Sequence, residues 1–226
     1  MPSTLYQWTL EEYEALAEAG ERVFCDWRHP RRIELIRGCL KEYGEPAKLS
    51  LDEYLRMVNE GIFSRFGKKR VELIHGEILE MSPIGDPHEE VLTVLTEWSV
   101  VKAPKDVKVR VQCSVRLPHA QSAPEPDLVW AVRRSYRHEK PGPEDILLLV
   151  EVADSSLAMD TGDKAKLYAS TGIRDYWVVN VRDEVIEVRR DPTPEGYQGL
   201  VRYSGREELR PLACAEAILI PDTLWE

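Results

Sequence analysis

No stretch of this chain stays apolar for long. No apolar run is longer than Ile146–Val150, which Asp145 and Glu151 bound, whereas a membrane-spanning helix needs roughly 18 residues or more. The first residues are polar and acidic, with no basic segment leading into an apolar one. No secretory signal is therefore expected, and the cytoplasm is the default location. Cysteine is sparse: Cys25, Cys39, Cys113 and Cys214 are widely scattered and form no C-x-x-C pair. That pattern excludes a disulfide scaffold or a thiolate zinc site and fits reduced thiols. The 5 histidines show no H-x-x-x-H spacing, so a histidine zinc site is disfavoured too. Asn and Gln are scarce and Arg outnumbers Lys, which fits a heat-adapted or GC-rich source without bearing on function.

Positive charge is also in deficit. The net charge is −10, so the chain as a whole repels a polyanion and strong nonspecific nucleic-acid binding is not expected. Basic residues do gather at Arg28–Arg32, Arg65–Arg70 and Arg133–Lys140. Each cluster taken alone reads equally well as a solvated loop.

What is present is enough for a core. The chain has 226 residues, 43% hydrophobic and 31% charged, which fits one domain plus an appendage. An internal repeat marks the appendage. Leu10-Glu11-Glu12-Tyr13, ending at Gly20, resembles Leu51-Asp52-Glu53-Tyr54, ending at Gly61. Arg32-Ile33-Glu34-Leu35-Ile36-Arg37-Gly38 likewise resembles Arg70-Val71-Glu72-Leu73-Ile74-His75-Gly76. Each copy reads as a helix followed by a hairpin. Ser50 with Glu53, and Thr9 with Glu12, have capping-box spacing, and Arg37-Gly38 and His75-Gly76 are the expected turns. A period of about 40 residues seen twice is too few units for a solenoid. Residues 1–48 are therefore taken as an N-terminal appendage, with a dimerisation arm as one hypothesis, and residues 49–226 as the main domain.

Beyond Met81-Ser82-Pro83 a helix is predicted from Asp86 to Lys102. Val91, Leu92, Leu95, Trp98 and Val101 form its apolar face, and Pro104 stops it. Strict alternation from Val107 to Leu117 predicts a half-buried strand. Asp127–Val132 is a short strand, and Ile146–Val152 is apolar enough for a central one. A helix is predicted over Met159–Ser170 and a hairpin over Tyr176–Val181 and Val185–Arg190. Short strands follow at Tyr197–Tyr203 and Ala217–Pro221. This order predicts an α/β fold of the α+β type, a mixed central sheet flanked by helices. The lack of regular βα alternation disfavours a Rossmann fold or a TIM barrel.

Two acids stand out. Asp127 begins one strand and Glu151 lies near the end of the next. If these strands pair antiparallel, both carboxylates meet at one end of the sheet, where they could hold a hard cation such as Mg²⁺. The plainer reading makes them strand-end acids that pair with arginine or face water. Asp160, Lys164 and Tyr168 recur every fourth residue and share a helical face. Lys164 could swing over the strand ends to orient water or offset phosphate charge. Alternatively, Asp160–Lys164 is a surface ion pair. Lys166 is the competing lysine.

An ordered set of motifs then resembles one family. It runs through Val71-Glu72-Leu73-Ile74-His75-Gly76-Glu77-Ile78, Met81-Ser82-Pro83 and His88, then Pro126-Asp127-Leu128-Val129 and Glu151-Val152 with Ser155-Ser156. It continues with Asp160-x-Gly162-Asp163-Lys164-x-x-Leu167-Tyr168, Gly172-Ile173 and Asp175-Tyr176-Trp177-Val178-Val179. Over residues 49 to 190 the chain resembles the bacterial Uma-two family. The resemblance implies a restriction-endonuclease-like core of the PD-(D/E)XK superfamily, in which an Asp and a Glu bind Mg²⁺ and a Lys assists phosphodiester hydrolysis. Asp127 and Glu151 match the two acids. Position 153 is Ala, so the E-x-K element is broken, and Lys164 on the following helix matches the displaced lysine. Glu72 matches an acid expected to join the metal, and His88 and Tyr168 are accessory candidates. Glu34, the counterpart of Glu72 in the first repeat copy, lacks the motifs that follow and is not assigned to catalysis.

The resemblance therefore implies a Mg²⁺- or Mn²⁺-dependent endonuclease, a phosphodiester hydrolase acting on nucleic acid, DNA before RNA, with a homodimer as a compatible assembly and no membrane partner. The competing function is a non-catalytic binding or scaffold module on a nuclease-like fold, which the net charge of −10 favours.

Overall fold

The computed structural model of the protein describes residues 4–19, 33–36, 39–42, 45–64 and 70–226. The Arg37-Gly38 turn, Cys25 and the basic stretches 28–32 and 65–69 lie outside the described residues. Cys39, Cys113 and Cys214 are free thiols. Among the described residues, no helix is long and apolar enough to cross a membrane. The chain divides into two compact units. One takes in the described residues up to Ser82 together with Pro118–Pro124, and the other holds Pro83–Leu117 and Glu125–Glu226.

The first unit contains both repeat copies. Its elements are β1 (Thr4–Leu5), α1 (Leu10–Glu18), β2 (Ile33–Ile36), β3 (Cys39–Glu42), β4 (Glu45–Pro46), α2 (Leu51–Asn59), β5 (Val71–Ile74) and β6 (Glu77–Glu80). Both helices start with a reciprocal capping box. Thr9 Oγ1 accepts from the Glu12 amide while the Glu12 carboxylate accepts from the Thr9 amide, and Ser50 and Glu53 do the same. Two orphan donors are thereby satisfied at each helix start. The β5–β6 hairpin turns on His75 and Gly76, both at positive φ (49° and 78°), as a two-residue type I′ turn requires. Tyr6, Trp8, Leu16, Tyr54, Met57, Phe63 and Leu73 form this unit's core.

The second unit is built on one sheet. Its elements are α3 (Asp86–Lys102), β7 (Val107–Val111), β8 (Leu128–Val132), β9 (Ile146–Ala153), α4 (Leu157–Thr161), α5 (Asp163–Ser170), β10 (Asp175–Asn180), β11 (Val185–Thr193) and β12 (Gly196–Tyr203). The spatial order is β12-β11-β10-β9-β8-β7. All neighbours are antiparallel except β9 and β10, which are parallel and joined by the α4–α5 crossover, as parallel neighbours must be. β9 is central, which explains its unbroken apolar run. On one face Leu128, Trp130, Leu148, Val150, Val152, Trp177 and Val179 pack with Val91, Leu92 and Leu95 of α3, and Trp98 stacks on Trp130 at 5.2 Å between centroids. On the other face Tyr176 meets Tyr168 of α5 edge-on at 5.0 Å.

Four expectations are corrected. Val101 does not join the buried face of α3; it is 75% exposed, because the buried face runs through Val91, Leu92, Leu95 and Ser99 and a residue two positions past Ser99 is turned about 200° away from it. The predicted strand over 107–117 ends at Val111. Gln112 takes a left-handed φ of 47°, a conformation that breaks strand geometry, and Val115 and Leu117 are buried without belonging to a strand. Ala217–Pro221 contributes a single isolated bridge, Leu209 to Leu219. The helix predicted over Met159–Ser170 is two helices that meet at Gly162 (φ −102°, ψ −98°).

That break needs glycine for reasons of space. A Cβ on Gly162 would stand 2.6 Å from the Ala158 carbonyl oxygen, which is backbone and cannot swing aside. Gly162→Ala is expected to cost about 1–3 kcal/mol, the usual range for forced overpacking. It should appear as a lower urea midpoint at an unchanged slope. An unchanged midpoint would show that the break relaxes freely.

Candidate active site

Asp127 stands just before β8, where the β8–β9 ladder begins with Leu128 opposite Val150. Beyond that point backbone pairing stops and the aspartate side chain takes over. Its Oδ2 accepts from the Val152 amide at 2.8 Å, a donor that otherwise lacks a partner on the β8 side. Its Oδ1 lies 3.0 Å from His88 Nε2. His88 is in the first turn of α3, after Gly85 at the N-cap, so the start of that helix anchors the ring over Asp127. Asp127 is thus buried (6% exposed) with both oxygens engaged, as a buried carboxylate requires.

Glu151 is on the next strand, one residue before the amide that Asp127 caps. Its Oε1 accepts from Lys164 Nζ at 3.2 Å and from the Tyr168 hydroxyl at 2.7 Å. Lys164 Nζ is also 3.9 Å from Asp160 Oδ1. Asp160 itself accepts from the Ser156 hydroxyl. Lys164, Glu151 and Asp160 are all buried, whereas Lys166 is exposed. The Asp160–Lys164 pair is therefore not a surface one. The every-fourth spacing keeps Asp160, Lys164 and Tyr168 close even across the Gly162 break, and the α4–α5 crossover lays them over Glu151.

The structure thus brings His88 to Asp127, and Lys164, Tyr168 and Asp160 to Glu151, on adjacent strands of one sheet. Glu72 belongs to the other unit, where it lies fully buried on β5 opposite Leu79. Two participants were not foreseen. One is the Val152 amide, which no residue-type pattern announces. The other is Tyr176, whose hydroxyl donates to the Asp160 carbonyl at 2.8 Å. A hydroxyl in a buried strand must find an acceptor, but the crossover that supplies this acceptor is a tertiary feature.

Burial pushes the Tyr176 phenol well above its ordinary pKa, and the nearby Asp160 and Glu151 charges add to the rise. Burial, followed by the Asp175 charge, raises Tyr197 in the same direction. A folded-state pKa above the unfolded value means that the native state holds its proton longer. The stability from these phenols is fully present below about pH 10, the ordinary tyrosine value, and is lost as the pH rises further. Urea midpoints should therefore fall above that pH, with no phenolate absorbance from the two rings until the protein unfolds. Phenolate signal from both rings in the folded protein would contradict the burial argument.

The chain matches the Uma2 family model, described as "Putative restriction endonuclease", over residues 51–219. No curated protein matches it. Among solved structures it is similar to the crystal structure of "a putative nuclease belonging to DUF820" from Anabaena variabilis ATCC 29413, with a TM-score of 0.60 and 15% sequence identity over 78% of this chain and 97% of that one. At that identity the likeness concerns the fold, a restriction-endonuclease-like core with a mixed sheet between helices. With a family match that spans most of its length, the chain belongs to the Uma2 family.

Proposed function

We propose that the protein is a Mg²⁺- or Mn²⁺-dependent nuclease whose metal ligands are Asp127 and Glu151 and whose assisting cation is Lys164. The observation that supports this reading is that Asp127 stands just before β8 and Glu151 lies on the adjacent β9, where Leu128 pairs with Val150, with the Lys164 ammonium 3.2 Å from Glu151. Among the described residues, no group of three or more His, Cys, Asp or Glu side chains could hold a metal ion. A cage made wholly of protein ligands is thus not what these residues form. Two carboxylates do suit Mg²⁺, which commonly takes one or two and fills its other positions with water and substrate phosphate. Bound there, the metal would polarise a phosphodiester and acidify water.

The chain's own residues do the rest. The Val152 amide and His88 hold Asp127 in one orientation, and Tyr168 and Lys164 hold Glu151. The Lys164 ammonium would offset charge that develops on phosphate oxygens.

A second reading, a binding or scaffold module that does not cut, is favoured by the net charge of −10 and by protein donors already engaging both oxygens of Asp127. Titration of Mn²⁺ into the protein by calorimetry, followed by a Mn²⁺-dependent cleavage assay on DNA and RNA, separates the two. Saturable binding and cleavage support the nuclease. Neither binding nor cleavage would leave the scaffold.

A further inference from the structure

The sheet face that carries Glu151 continues past β8 onto the edge strand β7. Arg110 lies opposite Val129 and Lys108 opposite Ala131. The Gln112 amide donates to the Asp127 carbonyl at 2.9 Å. Side chains alternate along a strand. Val107, Val109 and Val111 pack on the core under α3, so Lys108 and Arg110 stand on the opposite face, the one that carries Glu151. The acidic site thus runs outward along β7 into a row of donors, about 7 Å between alternate residues.

The surroundings of this row are unlike an ordinary solvated surface. The Tyr136 ring lies against it, 5.2 Å from the Arg110 guanidinium and 5.6 Å from Lys108 Nζ. Neighbouring cations are neutralised: Arg134 pairs with Asp145 through two hydrogen bonds, and Arg116 with Glu139. Neither Lys108 nor Arg110 has an ion-pair partner among the described residues; Lys108 donates only to the Arg134 carbonyl, at 3.2 Å. Arg110 Nε and Gln112 Nε2 are buried donors without a hydrogen-bond partner among the described residues. Such groups are costly to leave unmet. Lys140 adds to the crowding. Burial lowers its pKa, and the Arg110 guanidinium lowers it further, although Glu125 partly offsets this. In a protein of net charge −10, a local excess of positive charge with unmet donors is arranged for an anion.

We infer that the β7 edge, through Lys108, Arg110 and Gln112 with Tyr136 beside them, is the surface on which the phosphate backbone of a nucleic-acid strand lies as it reaches Asp127 and Glu151. The inference rests on the nuclease reading for its partner class and goes beyond it in naming the surface. Phosphate contacts fix the register of a bound strand without reading its sequence, and the Tyr136 ring, with Arg134 over it at 4.5 Å, packs beside these donors.

The test is binding without metal. A fluorescein-labelled DNA duplex and its separated strand are titrated in EDTA by anisotropy, between about 50 and 200 mM salt. The double variant Lys108→Gln/Arg110→Gln is expected to bind about tenfold more weakly, with a salt slope shallower by about 2, one unit per lost phosphate contact. Because Arg110 is partly buried, Lys108→Gln alone is the control for folding, with a slope change of about 1. Unchanged slopes in folded variants, or a wild-type protein that binds neither DNA form, would overturn the inference. The nuclease reading fails separately. Salt-dependent DNA binding with no Mn²⁺ site would sink it and leave the surface standing. Cleavage with unaltered slopes would sink the surface and leave the nuclease.

Discussion

Lys164→Met is expected to lower stability by about 3–5 kcal/mol, the range for breaking a buried ion pair by removing one partner. The lysine is 5% exposed, Glu151 3% and Asp160 2%. Its ammonium lies within 4.0 Å of both carboxylates. The substitution deletes that charge and leaves the acids in low-dielectric surroundings, where a lone ion is strongly disfavoured. Tyr168 still donates to Glu151, but a hydroxyl dipole does not replace a charge. Lys166→Met, two residues along and exposed, should stay within about 0.5 kcal/mol of wild type. The double variant Glu151→Gln/Lys164→Met should recover part of the loss, because it removes both charges of the Glu151–Lys164 pair while buried Asp160 stays without its ammonium. The comparison also separates stability from chemistry: nuclease activity should be lost in the single and the double variant alike. If urea unfolding finds Lys164→Met within about 1 kcal/mol of wild type, Lys164 is not the counter-ion of Glu151 and Asp160, and the ion-pair argument collapses.

The elements legible in the sequence are those whose local pattern and tertiary setting agree. β9 is apolar throughout because it is central, and α3 has its helical period because Val91, Leu92 and Leu95 face one sheet. The antiparallel β8–β9 pairing needed only that the two strands be consecutive. Misreadings arise where the pattern outlasts the element. The alternation from Val107 runs on to Leu117 because buried positions recur after the strand ends, and nothing in residue type announces that Gln112 turns left-handed. The Asp160, Lys164 and Tyr168 spacing suits an unbroken helix, so Gly162 passes unnoticed until the Ala158 carbonyl closes over it. The depth at which Lys164 lies was not legible either. A lysine on an amphipathic helix is ordinarily solvated, and only the crossover between two parallel strands carries this one inside.

Asp127→Asn is expected to abolish metal binding and cleavage while the fold stays intact. The side chain has two roles that an alanine would remove together. As a structural group its Oδ2 takes the Val152 amide where the β8–β9 ladder ends. As the proposed ligand it supplies negative charge to the cation. Asparagine separates these roles. Its amide oxygen can still accept from Val152, and its amide nitrogen can face His88, but it is neutral and a poor ligand for a hard cation. The Asn variant should therefore keep a urea midpoint near that of wild type. Asp127→Ala should lose about 1–3 kcal/mol, because the Val152 amide is left buried and unmet. In activity the two should be alike. Metal polarisation supplies several kcal/mol to phosphodiester cleavage, and about 1.4 kcal/mol is a factor of ten in rate, so each should fall by about a thousandfold and lose the calorimetric Mn²⁺ signal. A different result for Asn would be decisive. If it binds Mn²⁺ and cleaves as wild type does, then Asp127 is a sheet-end cap, the metal site lies elsewhere, and the acid on β8 is explained by the Val152 amide alone.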